Sequence, residues 1–216
     1  MRYKTTAPGE SPSPRLTEEC SCAILAGGEN RRMPVLKAFI RIRGQRIIDR
    51  NLRLMKRLFS EVFIVTHRPE LYLYPGVTLL ADIYDTRGPI AGVFTALLNA
   101  SNPWVFISAC DMPFINGAVI EYMASKRDGY DAVVPKSSRA RGSAEPLFAF
   151  YSRRLLPSME KALLAGKKGL KDFLSNKRVQ YISRAEIKGI DPEGVSFINL
   201  NTPEDVEIYL RPGDKP

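Results

Sequence analysis

The chain has 216 residues, 44% of them hydrophobic and 25% charged, with a formal net charge of +9. That length supports one sizeable α/β domain, and the composition is that of an ordinary globular protein. No apolar run approaches the ~20 residues that cross a bilayer, no apolar signal core stands at the N-terminus, and three cysteines make no disulfide framework.

Residues 1–18 are rich in Pro, Ser and charge and are predicted to form a disordered lead-in. Residues 20–25, CSCAIL, read as a buried strand running into the glycine turn Gly27-Gly28. Cys20 and Cys22 fall on one face of that strand and are expected to be a reduced, buried pair. With His67 as the only histidine, they are too few for a metal site, and the cytoplasm follows as the default compartment. A charged loop runs to Lys37, and residues 38–43 read as a short strand. Residues 47–59 place Ile48, Leu52, Met55 and Phe59 on one helical face, with Arg50, Arg53, Lys56 and Arg57 outside it.

A second buried strand is predicted over 61–66 and a third over 77–81, ending at Asp82. From Gly88 the sequence Gly-Pro-Ile-Ala-Gly opens a helix in which Ile90, Val93, Phe94, Leu97 and Leu98 repeat with a 3.6-residue period. A fourth strand over 104–108 ends at Cys110-Asp111, a helix spans 116–126, and a further strand spans 131–135. Later, 146–151 reads as a strand, and 153–165 and 169–175 as helices. Residues 197–201 read as a short strand with Asn199 and Asn201 on the same face. Thr202 is a natural N-cap, with Pro203 at the first helical position and Asp205 in the first turn. With no repeat and no linker, residues 19–212 are expected to form a single domain.

Strand and helix alternate through the first half, which argues a mostly parallel sheet with helices on both faces. Ligands of such sheets bind at the carboxyl ends of the strands, where Gly27-Gly28, Asp82 and Asp111 all fall. The 25–37 loop is neither a P-loop nor a dinucleotide fingerprint. Its glycines allow close backbone approach to a ligand, and Arg31, Arg32 and Lys37 suit a triphosphate; a solvated basic loop fits the same residues. Asp111, followed by Met112-Pro113 at the end of a buried strand, suits Mg²⁺ held by one carboxylate plus substrate phosphates, or a simple turn cap. Asp82 and Asp85 flank the Gly88–Gly92 helix start, which suits an anion or is a simple helix start. His67 reads as a solvated or structural histidine. The basic residues are dispersed, which argues against nucleic acid as a partner.

Four segments in order resemble the molybdenum cofactor guanylyltransferases, the MobA family, over residues 20–210. They are Leu25-Ala26-Gly27-Gly28 with Arg32-Met33 and Lys37, Gly88-Pro89-Ile90-Ala91-Gly92, Cys110-Asp111-Met112-Pro113, and Asn199-Leu200-Asn201-Thr202-Pro203-Glu204. Pro34 and Leu36 stand where that pattern has Gly and Asp. The resemblance implies a Rossmann-like three-layer α/β/α fold and Mg²⁺-dependent transfer of GMP from GTP to the phosphate of molybdopterin. It implies that Leu25, Ala26, Gly27, Gly28, Lys37, Asp82, Gly92 and Asp111 bind the nucleotide, and that Lys37, Arg32 and Asp111 serve catalysis, Asp111 as metal ligand. Asn199, Asn201 and Glu145 would face the acceptor. Contact with other cofactor-biosynthesis proteins, but with no nucleic acid or membrane, completes the expectation. A sister enzyme using CTP or another acceptor, or a non-catalytic nucleotide binder, is the competing reading.

Overall fold

In the first strand, β1 (Cys20–Leu25), successive side chains go to opposite sides of the sheet. Cys20, Cys22 and Ile24 enter one buried apolar cluster and Ala23 the other. The same division runs through β4 (Glu61–Val65), where Val62 and Ile64 part from Phe63 and Val65, and β6 (Trp104–Ala109), where Phe106 parts from Val105 and Ile107. A sheet apolar on both faces must be covered on both. Helices α1 (Ile47–Leu58) and α3 (Gly117–Ala124) cover one side, while α2 (Pro89–Asn99), α4 (Leu156–Leu164) and α5 (Leu170–Leu174) cover the other. This is a computed structural model that describes residues 19–27, 36–42, 44–83, 88–136 and 144–209; the expected lead-in over 1–18 lies outside them.

With β5 (Thr78–Leu80), β7 (Ala132–Pro135), β8 (Phe148–Ser152) and β9 (Val179–Ile182), the sheet has seven strands in the order β5-β4-β1-β6-β8-β7-β9. Only the pairs made by β8, with β6 and with β7, are antiparallel. The chain leaves β1 toward β4 and β5, then returns to β6 on β1's other side. That reversal of strand order opens a crevice at the carboxyl end of β1, and it is the mostly parallel α/β/α arrangement expected from the sequence. No helix among the described residues is long and apolar enough to cross a membrane.

Two expected strands are replaced. Residues 38–43 split into a 3-10 turn (Lys37–Phe39) and a two-residue strand, β2 (Arg41–Ile42), paired antiparallel with β3 (Gln45–Arg46). The turn through Gly44, at φ +75°, makes this a hairpin rather than a sheet member. Residues 197–201 form no strand. Val195–Phe197 is a 3-10 turn, and the Leu200 N–H goes to the Asp111 carbonyl instead of to a neighbouring strand. Ile198 and Leu200 instead join Ile40, Ile42 and Ile47 in a third small apolar cluster. That cluster seats the late segment on the hairpin beside Lys37. The edge strand β9 and the short helix α6 (Arg184–Ile187) have no counterpart in the sequence reading. The last helix, α7 (Pro203–Tyr209), starts as expected: Thr202 Oγ1 accepts from the Asp205 N–H, and Asp205 accepts in return from the Thr202 N–H.

Cys20 and Cys22 are free and buried, as expected. Burial pushes the Cys20 thiol up to about 12, against the opposing pull of Arg127, and raises Cys22 well above the ordinary thiol range. Neither is a nucleophile.

Candidate active site

The end of β1 is pinned from both sides. Ala26 donates its N–H to the Val65 carbonyl (2.8 Å), and the Leu25 carbonyl accepts from the Cys110 N–H (3.2 Å). Leu25, Ala26 and Gly27 therefore lie between the chain that follows β4 and the chain that follows β6. These two flanks carry two different sets of polar groups.

On the β6 flank Lys37 Nζ stands 3.1 Å from Asp111 Oδ2 and donates to Asn201 Oδ1 at 2.7 Å. Three residues separated by up to 164 positions thus meet at one ammonium group. Lys37 opens the 3-10 turn whose middle residue, Ala38, is buried and whose last, Phe39, stacks on Tyr72 at 5.3 Å. Asp111 sits in the turn after β6, held by burial of Met112 and by the hydrogen bond from Asn51 Nδ2 to the Met112 carbonyl. The pair is mostly shielded, with side-chain exposures of 22% and 14%, so the charge of Lys37 is fixed in place rather than swept through solvent.

Glu145 and Asn199 adjoin this pair. Burial raises the Glu145 carboxyl above the usual carboxylate range. The charge of Asp111 adds to the rise, and Lys171, the Leu147 N–H and the Asn199 amide oppose it. The Asn199 Oδ1 is buried with no hydrogen-bond partner among the described residues. Burial also pushes the Cys110 thiol up to about 12, with Asp111 adding and Lys37 opposing, which makes that cysteine inert beside the acid.

On the β4 flank Asp82 follows β5, only 11% exposed. Its Oδ2 lies 3.1 Å from Nε2 of His67. Burial raises its carboxyl; His67 and the Thr95 hydroxyl favour the charged form. Gly92 in α2 closes against the end of β1 and against Asp82. A Cβ there would stand 3.4 Å from the Leu25 methyls and 3.6 Å from Asp82 Oδ1. His67, read from sequence as solvated or structural, is half exposed and in contact with Asp82. Its ring also lies against Gly27, where a Cβ would meet His67 Cδ2 at 3.2 Å. The signal that singled out Asp111, a polar residue at the carboxyl end of a buried strand next to β1, applied equally to His67.

The structure thus brings Lys37, Asp111 and Asn201 into direct contact, with Glu145 and Asn199 beside them. Asp82 and Gly92 form a second group across the end of β1. Gly28, Arg31, Arg32 and Asp85 lie outside the described residues. Among the described residues no three His, Cys, Asp or Glu side chains gather as a metal cage. A shielded carboxylate such as that of Asp111 fits a hard divalent ion that takes its remaining ligands from phosphates and water.

A family model described as "MobA-like NTP transferase domain" matches residues 22–182. The molybdenum cofactor guanylyltransferase of Desulfosudis oleivorans is 39% identical over 186 residues, 85% of this chain and 91% of its own length. The probable molybdenum cofactor guanylyltransferase of Methanosarcina acetivorans is 33% identical over 209 residues, 91% of this chain and 92% of its own length. Among solved structures, molybdopterin-guanine dinucleotide biosynthesis protein A from Archaeoglobus fulgidus superimposes with a TM-score of 0.76 at 26% identity, over 88% of this chain and 96% of that one.

Proposed function

The chain belongs to the family of MobA-like NTP transferase domains, and on that premise we propose that it is a cytoplasmic molybdenum cofactor guanylyltransferase, moving GMP from GTP to the terminal phosphate of molybdopterin. The observation that carries the reading is the contact of Lys37 with both Asp111 and Asn201 at the strand-order reversal. It joins three of the four sequence segments that resemble the family.

The acceptor phosphate is already an anionic nucleophile near neutral pH, so no strong base is needed. One of its oxygens forms a bond to the α-phosphorus of GTP as the bond to the bridging oxygen breaks. Pyrophosphate leaves with that electron pair. The protein's task is positioning and charge neutralisation. Asp111 would hold Mg²⁺, which when bound supplies Lewis-acid neutralisation of phosphate oxygens. Lys37, oriented by Asp111 and Asn201, offers a fixed positive charge to the phosphates, with Arg32 as the expected second cation. Leu25, Ala26 and Gly27 offer a flat backbone edge to the nucleoside, and Gly92 and Asp82 complete that side. Asn199, Asn201 and Glu145 present amide and carboxyl groups to the acceptor.

Pyrophosphate release from GTP, CTP, ATP and UTP, each with Mg²⁺ and with or without molybdopterin, tests the reading. Release that requires both GTP and molybdopterin supports it. A preference for CTP, or nucleotide binding without release, overturns it.

A further inference from the structure

The side chain of Asp82 is mostly shielded at the end of the sheet, with its two carboxylate oxygens in unlike surroundings. Oδ2 faces Nε2 of His67 at 3.1 Å. Oδ1 is buried beside Gly92 and has no hydrogen-bond partner among the described residues. An unpaired buried carboxylate oxygen is costly, so a group arranged in this way points to a donor that arrives from outside the fold. His67 is placed to govern that oxygen. It follows β4 after Thr66, its ring lies against Gly27 at the end of β1, and it is the described side chain that forms an ion-pair contact with Asp82. Arg68, next to it, is engaged with Glu70 at 3.5 Å.

We infer that His67 is a nucleotide-positioning residue: by holding Oδ2, it fixes the orientation of the Asp82 carboxylate and leaves Oδ1 as an acceptor for an O–H or N–H donor of the bound nucleoside. This rests on the nucleotide-transfer reading above and adds to it a residue that touches Asp82 rather than the reacting atoms. Without a polar hydrogen at the place of Nε2, Oδ2 loses the contact that orients it, the carboxyl is free to turn, and the acceptor is no longer aimed at the nucleoside. The imidazole against Gly27 also covers the edge of the turn that the nucleoside would approach.

The consequence is a defect in binding with chemistry intact. GTP affinity is measured by calorimetry, and turnover at saturating GTP, for wild type, His67→Leu and His67→Gln. The glutamine restores an N–H near the place of Nε2. Because His67 is half exposed, both variants are expected to melt within a few degrees of wild type. Loss of one such interaction weakens GTP binding in His67→Leu about tenfold, with kcat changed less than about twofold, and His67→Gln recovers to within about threefold. The donor is identified with 2′-deoxy-GTP and 3′-deoxy-GTP, which lack ribose hydroxyls, and with ITP, which lacks the purine amino group. The analogue missing the relevant donor binds wild type weakly and loses little more in His67→Leu. Unchanged GTP affinity in His67→Leu overturns the inference. So does a loss that glutamine does not rescue, which would make the ring merely a space-filler, or equal sensitivity of both proteins to every analogue. Wild type that binds no GTP instead sinks the transfer reading itself.

Discussion

The backbone N–H of Leu200 donates to the main-chain carbonyl of Asp111 at 3.0 Å. Through this bond the segment carrying Asn199 and Asn201 is fastened to the turn carrying the acid, independently of either asparagine side chain. Burial of Leu200 among Ile40, Ile42 and Ile47 then brings the same segment to the hairpin that follows Lys37. The two anchors explain why an ammonium group, an acid and an amide from three distant stretches meet within hydrogen-bonding distance.

Lys37→Ala removes the fixed positive charge and nothing from the core, since its neighbour Ala38 carries the burial. Losing a preorganised electrostatic donor costs about 2–4 kcal/mol of transition-state stabilisation, or roughly 30- to 1,000-fold in kcat/KM. Steady-state pyrophosphate release measures it. A loss of tenfold or less would make Lys37 peripheral.

Asp111→Asn keeps the shape of the side chain and the main-chain bond to Leu200 while removing the anion. The expected outcome is loss of Mg²⁺-dependent transfer, with a melting temperature within a few degrees of wild type. Lys37 keeps its hydrogen bond to Asn201, so the site is not left disordered. Turnover titrated with Mg²⁺, alongside thermal melts, separates the two effects. Near-normal turnover would remove Asp111 from the metal's ligands.

Much of this arrangement was legible in the sequence, for a physical reason. The strands Cys20–Leu25, Glu61–Val65 and Trp104–Ala109 are short apolar runs buried on both faces, and each stops at a glycine or polar residue that marks the sheet's carboxyl edge. What was not legible depends on tertiary contact. Residues 197–201 alternate like a strand, yet the Leu200 N–H finds the Asp111 carbonyl, a partner no local pattern reveals. Edge strand β9, VQYI, is only half buried and pairs on one side alone, so its pattern is diluted by exposed positions. The side chain of His67 looked unremarkable until β5 placed Asp82 next to it.

Gly88→Ala tests the entry to α2. Gly88 has φ +145°, and a Cβ there would stand 2.9 Å from the Lys168 carbonyl oxygen and 3.0 Å from the Lys168 Cβ. Backbone strain of this kind costs on the order of 1–3 kcal/mol, and the clash is with main chain that cannot simply swing aside. A drop of several degrees in melting temperature is expected, read by calorimetry. A melt equal to wild type would show that the 166–169 turn yields easily.

Glu145 supplies a prediction in pH. Its carboxyl is raised chiefly by burial and next by Asp111, while Lys171, the Leu147 N–H and Asn199 pull the other way. The folded protein therefore keeps this proton to higher pH than the unfolded chain, whose carboxyl titrates near the ordinary glutamate value of 4.5. Between those two values the folded state binds more protons, so stability falls as pH rises. The contribution is complete below the unfolded value and is lost as pH climbs through the folded one. Glu145→Gln cannot ionise and can still accept from Asn199. Without divalent ions, the two proteins should melt together near the acid end of the range. The glutamine variant should then pull ahead toward neutral pH. Calorimetric melts of both proteins across that range, in the presence of EDTA, provide the check. If wild type instead gains on Glu145→Gln as pH rises, Lys171 and Asn199 outweigh burial, and Glu145 is held in the fold as a stabilised anion.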